Sequence, residues 1–168
     1  YGLVKAEDKF VFNAESYEDG DNEDGLVTSG SKILMIHNET TAEAGRGAAI
    51  KFTSSSSLTT STGYAKLTVW VLTKDLKTIQ GDTQEFGAYI SVASTLSLSQ
   101  PPLMVKNINT NGVWAEYTIY IEASDIANSR YTVTLGLGMG TANYKAEYVE
   151  GFAYFDNVHF EEIEEAEY

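Results

Sequence analysis

Apolar and polar residues alternate along most of the chain, and the alternation predicts short β-strands. Tyr64–Thr73 places Leu67, Val69 and Val71 on one face and Lys66, Thr68 and Trp70 on the other. Successive side chains of a strand point to opposite faces, so the apolar set marks the core side and Trp70 points away from it. Phe86–Ala93 repeats the pattern, with Ala88, Ile90 and Val92 inward and Tyr89 and Ser91 outward. Trp114–Ala123 sets Tyr117, Ile119 and Ile121 against Glu116, Thr118, Tyr120 and Glu122. Tyr131–Leu137 alternates through Val133, Leu135 and Leu137, and Gly136, Gly138 and Gly140 thin it, as at a bulge or beside a close neighbour. Lys32–Asn38 is a mostly apolar run and reads as a central strand, Ala48–Thr53 as the next, and Lys9–Asn13 as a short first one. Leu103–Ile108 follows Gln100-Pro101-Pro102 and reads as a short edge strand, because proline cannot donate to a central ladder.

The last strand is Gly151–Phe160, and Asp156-Asn157 is set into its middle. Phe152 and Tyr154 share one face, Ala153 and Phe155 the other. Beyond the polar pair the apolar residues are Val158 and Phe160, so the period slips by one residue. A bulge does this, since it adds one unpaired residue and bends the strand. An Asp at such a bend is either a hydrogen-bonded turn residue or a cation ligand. The strand carries apolar residues of both parities and is expected to be paired on both sides.

Between the strands lie turn signals: the Ser/Thr-rich 54–63 connection, Asn109-Thr-Asn-Gly112, and Thr141–Glu150. Ser124–Ser129 reads as one helical turn capped by Ser124 or Asp125. Eight or nine short strands with no long helix and no internal repeat predict an all-β, two-sheet antiparallel β-sandwich of the jelly-roll kind. The expected domain is 1–160, with the glutamate-rich 161–168 as an acidic tail or linker.

The 168 residues suit one such domain. Without cysteine the chain has neither disulfides nor thiolate metal sites. Acidic residues outnumber basic ones 24 to 11, a net charge of −13, which argues against nucleic acid and against an anionic membrane surface. No apolar run is long enough to span a membrane, and there is no signal segment at the start. The opening at Tyr1 rather than Met reads as a piece of a larger protein. Glu15–Gly25 places Asp19, Asp21 and Glu23 at alternate positions, as a calcium loop does. Asp24 stands where an EF-hand needs its sixth-position glycine, so a solvated turn is the alternative.

No catalytic constellation stands out. His37 and His159 lie in strands without a recognisable nucleophile turn, and the carboxylates cluster in a loop and a tail, so the chain reads as a non-enzyme. Ligand chemistry points instead to the aromatic residues, of which there are 11 Tyr, 7 Phe and 2 Trp. Aromatic rings stack on the apolar faces of sugars, and an aromatic directed away from a core is the informative case. Trp70 and Tyr89 qualify by parity. Trp114 opens its strand and either joins them or packs a sandwich edge. Tyr144 and Tyr148 share a loop with Asn143 and Lys145 and supply a rim, and Gln100 is a loop donor. Exposure of Trp70 and Tyr89 on one surface would favour binding; burial of both would favour a structural spacer or adhesin domain without a sugar site.

Three segments in order, Tyr64-Ala-Lys-Leu-Thr-Val-Trp-Val, Trp114-Ala-Glu-Tyr-Thr-Ile-Tyr-Ile and Gly151-Phe-Ala-Tyr-Phe-Asp-Asn-Val, resemble the carbohydrate-binding-module jelly rolls of the galactose-binding-like type. The resemblance covers Lys32 to Phe160 and is nearest to versions in large extracellular proteins of Gram-positive gut bacteria, ruminococcal starch-adherence proteins among them. It implies a monomeric module, extracellular or on the bacterial cell surface, beside other domains of one protein. The implied ligand is a neutral polysaccharide, with α-glucan the first guess. It also implies that Asp156 helps hold a structural calcium near the first strand; Asp21, from the acidic loop, is the second candidate metal ligand. The usual Phe-Glu at the end of the first strand is replaced by Phe12-Asn13.

Overall fold

The computed structural model describes residues 10–12, 33–38, 48–55, 57–58, 60–78, 86–96, 101–126, 129–138 and 149–168. They form nine strands: β1 Phe10–Phe12, β2 Leu34–Asn38, β3 Ala48–Thr53, β4 Tyr64–Thr78, β5 Ala88–Ser94, β6 Leu103–Ile108, β7 Ala115–Glu122, β8 Tyr131–Leu137 and β9 Val149–Ile163. One sheet has the order β1-β2-β9-β4-β7 and the other β3-β8-β5-β6, and every pairing is antiparallel. The protein is an all-β, two-sheet sandwich, as the alternation predicts.

The inward-facing residues of both sheets make one core. Leu67, Val69 and Val71 of β4 and Ile119 and Ile121 of β7 meet Ile90 and Val92 of β5 and Val133, Leu135 and Leu137 of β8. Ala153 and Phe155 of β9 join them, and Phe155 is the largest of the fully buried side chains. Dry burial of this kind stabilises by about 25 cal/mol per Å² of apolar surface removed from water, so the period-2 positions dominate the energetics.

The period slip in β9 is a bulge. Thr68 pairs with His159 and Trp70 with Asp156, so β9 carries one residue more than β4 across this step. Asn157 takes φ 48°, a left-handed conformation that Asn tolerates better than most residues, and its N–H donates to Asp156 Oδ1 at 2.8 Å. Two more register shifts use the same device: Asp75 in β4 at φ 56° and Asn107 in β6 at φ 59°. The Asn109–Gly112 turn forms as expected. Asn111 and Gly112 both have positive φ, and Val113 N–H donates to Thr110 O at 3.1 Å, the arrangement of a type I′ turn. Thr73, fully buried within β4, holds this turn. Its backbone N–H donates to Thr110 Oγ1, and its Oγ1 accepts from Thr110 N–H.

Three sequence expectations need correction. β9 does not end at Phe160. It runs to Ile163, which is 4% exposed, so the first residues of the expected tail belong to the sheet. The strand also has two partners only in part: β2 covers Gly151–Phe155, whereas β4 follows it over its whole length. Ala123–Ile126 is a hydrogen-bonded turn and not a turn of helix; Asp125 Oδ2 accepts from Glu122 N–H at 3.0 Å and Asp125 N–H donates to Glu122 O.

Candidate ligand-binding face

The outer face of the five-stranded sheet collects aromatic side chains from four of its strands. In β4 the residues opposite in parity to the core set are Tyr64, Lys66, Thr68, Trp70 and Leu72. β7 adds Glu116, Thr118 and Tyr120, which pair in register with Trp70, Thr68 and Lys66. β9 adds Phe152, Tyr154 and Asp156, and β2 adds Met35 and His37.

Trp70 stands in the middle of this face, half-buried, with Glu116 opposite on one side and Asp156 on the other. The bulge at Asn157 keeps Asp156 in step with Trp70 after the register has changed. Asp156 itself is 8% exposed. On one flank of Trp70 lies a second apolar cluster, Ile33, Met35, Leu72 and Tyr154, with Trp114 and Phe152 packed against it. His37 stacks on Phe152 at 4.0 Å and 7°, and Phe152 lies parallel to Tyr154 at 6.2 Å. Rings stacked like plates cover one another's faces, so this row ties β2 to β9 more than it offers a platform. On the other flank the face turns polar. Thr68 and Thr118 stand opposite each other, and Lys66 Nζ meets Glu161 Oε1 at 2.9 Å with His159 3.5 Å from the same carboxylate. Beyond them lie Tyr64, Tyr120 and Tyr168.

The candidate residues therefore separate. Trp70 and Trp114 share one face, and Leu72, next to Trp70 along that face, is in the cluster on which Trp114 packs. Tyr89 is directed outward from the other sheet, so it cannot join them, and it is only 7% exposed. Its ring lies over Gly136, its partner in β8: a Cβ on Gly136 would come within 2.3 Å of it. Burial pushes the Tyr89 phenol up. Tyr89 is a packing residue, and its buried ring offers no stacking surface. Parity alone could not show this, because it gives the face and not what covers it. Ser91, Thr132 and Thr134 share that outer face with Tyr89, together with Lys51 of β3 and Met104 of β6 in register beside them. Gln100, Tyr144, Tyr148 and Asp21 lie outside the described residues. Among the described residues no group of three His, Cys, Asp or Glu could hold a metal ion, so Asp156 does not have a calcium site around it from these residues alone.

Two further aromatic residues at this face, Tyr120 and Tyr168, are not among the residues singled out from the sequence. Tyr120 was legible as outward-facing in its strand, whereas Tyr168 lay in the segment read as a tail.

No family model matches the chain, and no curated protein matches it in sequence. Solved structures do share its fold. It is similar to the enzymatically active domain of tailspike protein 4 of bacteriophage CBA120, at 10% identity and TM-score 0.55, over 97% of this chain and 18% of that one. A CBM4 structure aligns at 12% identity and TM-score 0.52, over 96% of this chain and 85% of that one. A Stig cyclase from Fischerella sp. TAU aligns at 13% identity and TM-score 0.54, over 92% and 75%. The chain thus spans under a fifth of the tailspike structure and most of the other two, and at these identities the likeness is one of fold: a β-sandwich shared with carbohydrate-binding modules and with enzymes.

Proposed function

We propose that this domain is a non-catalytic carbohydrate-binding module that holds a larger extracellular protein to a neutral polysaccharide. The observation that carries the reading is Trp70, a partly buried indole in the middle of a sheet face, with Glu116 and Asp156 in register on either side. The indole supplies a stacking surface and the exposed Glu116 carboxylate accepts hydrogen bonds from sugar hydroxyls. The sandwich shared with a CBM4 structure supports the class. The net charge of −13 turns the choice away from polyanionic glycans. An α-glucan is the first ligand to try, on the resemblance to starch-adherence proteins. Affinity electrophoresis through gels loaded with neutral polysaccharides tests the reading: at least one gel should retard the domain, and Trp70→Ala should abolish the retardation. Unretarded migration in every gel would contradict it.

The spacer reading draws its support from the burial of Tyr89, which removes one of the two outward rings. Calcium is a proposal from resemblance. If the ion joins Asp156 to Asp21, chelation lowers the melting temperature, because a ligand of the folded state stabilises by mass action; an unchanged melting temperature would remove it from the account.

A further inference from the structure

We propose that Tyr120 and Tyr168 form a second stacking station on the face that carries Trp70, so that the ligand is an extended, uncharged glycan chain laid along β4 and not a single terminal sugar. The inference rests on the glycan-binding reading above and adds the length and path of the ligand.

Tyr120 pairs in register with Lys66, and Glu116 with Trp70. The two stations are therefore four residues apart along the strand, about 13 Å at the rise of a β-strand. One pyranose ring is too small to touch both. Tyr120 is 45% and Tyr168 51% exposed, while most large apolar side chains of the five-stranded sheet are buried. Exposed aromatics grouped on one surface are a mark of binding faces. The Tyr168 ring is held in place: it tilts 47° against Tyr64 at 5.1 Å and meets Tyr120 edge-on at 6.2 Å. Such contacts limit the conformational entropy lost on binding.

The strip between the stations suits hydroxyls. Thr68 and Thr118 stand opposite each other, and the Lys66–Glu161 pair offers an ammonium and a carboxylate side by side. Burial and the neighbouring Glu165 and Glu122 carboxylates push the Tyr64 phenol up, and burial with the Glu122 and Asp125 carboxylates does the same for Tyr168. Glu122, Glu164, Glu165 and Glu167 border the tyrosine end, which sets a negative potential against acidic chains and leaves neutral ones as the fitting class.

Calorimetric titration with linear α-glucan, β-glucan, xylan and mannan oligosaccharides, from disaccharide to heptasaccharide, tests this. Affinity should climb with chain length in one series until the chain spans both stations. Tyr120→Ala should weaken the longest ligand by about fivefold to tenfold, the scale of one aromatic contact, and leave the disaccharide unchanged. Tyr120→Phe, which keeps the ring, should restore the climb. Binding that ignores length, or a Tyr120→Ala domain that binds the heptasaccharide as well as the parent, would overturn this inference alone. A parent domain that binds no oligosaccharide of any series or length would overturn it together with the glycan-binding reading.

Discussion

A Cβ placed on Gly136 would lie 2.3 Å from the Tyr89 ring, closer than two carbons approach without contact. The ring has no easy alternative position, since it is 7% exposed. Gly136→Ala should therefore destabilise the domain by about 1–3 kcal/mol, the cost of forcing extra volume into a packed site. In a Tyr89→Ala background the same change should cost much less, and the cycle of four melting curves measures the difference. Equal costs in both backgrounds would show that the ring does not depend on the glycine. Tyr89 and Trp70 have the same outward parity in the sequence, and the glycine that receives Tyr89 sits 47 positions further along the chain at Gly136. The pairing that unites them is a long-range contact that no local pattern encodes. The glycines of β8 did mark a close neighbour, but not which one.

At the scale of the element, β9 shows both what local pattern carries and where it stops. The slip in apolar period across Asp156-Asn157 located the bulge, because side-chain parity is a direct consequence of the backbone pleat. Asn157 at φ 48° gives it a test. Asn157→Gly should be tolerated, whereas the β-branched Asn157→Val should cost about 1–2 kcal/mol, the penalty of a left-handed conformation, as read from urea midpoints. Similar midpoints for the two variants would mean that the bulge migrates instead. The end of β9 was not legible: five glutamates in 161–168 read as a solvated tail. Composition could not reveal that Glu162 Oε1 accepts from Ser61 Oγ at 2.7 Å and from Thr62 N–H at 2.8 Å, which anchors the loop before β4. The Ser61 hydroxyl, followed by the Thr62 amide, lowers the Glu162 carboxyl below its ordinary 4.5. A carboxyl with a depressed folded pKa contributes stability above its unfolded value and loses it as pH falls through the folded one. Melting temperatures of the parent and Glu162→Gln should thus differ at neutral pH and draw together only as pH falls below the ordinary 4.5 and through the lowered folded value. A constant gap down to pH 3 would assign the effect to something other than the charge.

For the molecule as a whole, strand number, the two-sheet class and the inward residues followed from alternation, since burial of one face is what a strand must achieve to be stable. Sheet order did not follow. β4 and β9, which lie side by side in the five-stranded sheet, are separated in the chain by four other strands, and nothing local to Tyr64–Thr78 announces Val149–Ile163 as its partner. That pairing and the one between β4 and β7 bring Trp70, Trp114, Tyr120 and Tyr168 to one face and leave Tyr89 on the opposite side of the sandwich. The central claim is that this one face binds a neutral glycan. The two tryptophans are the only indoles in the chain, so a two-dimensional proton–nitrogen NMR spectrum resolves each indole N–H as its own peak. On titration with a neutral oligosaccharide, the Trp70 indole should shift most, with amides of Thr68, Thr118 and Tyr120 beside it, while Ser91, Thr132 and Thr134 on the other sheet stay in place. Shifts confined to the four-stranded sheet, or a saturating ligand that leaves the Trp70 indole unmoved, would contradict the account.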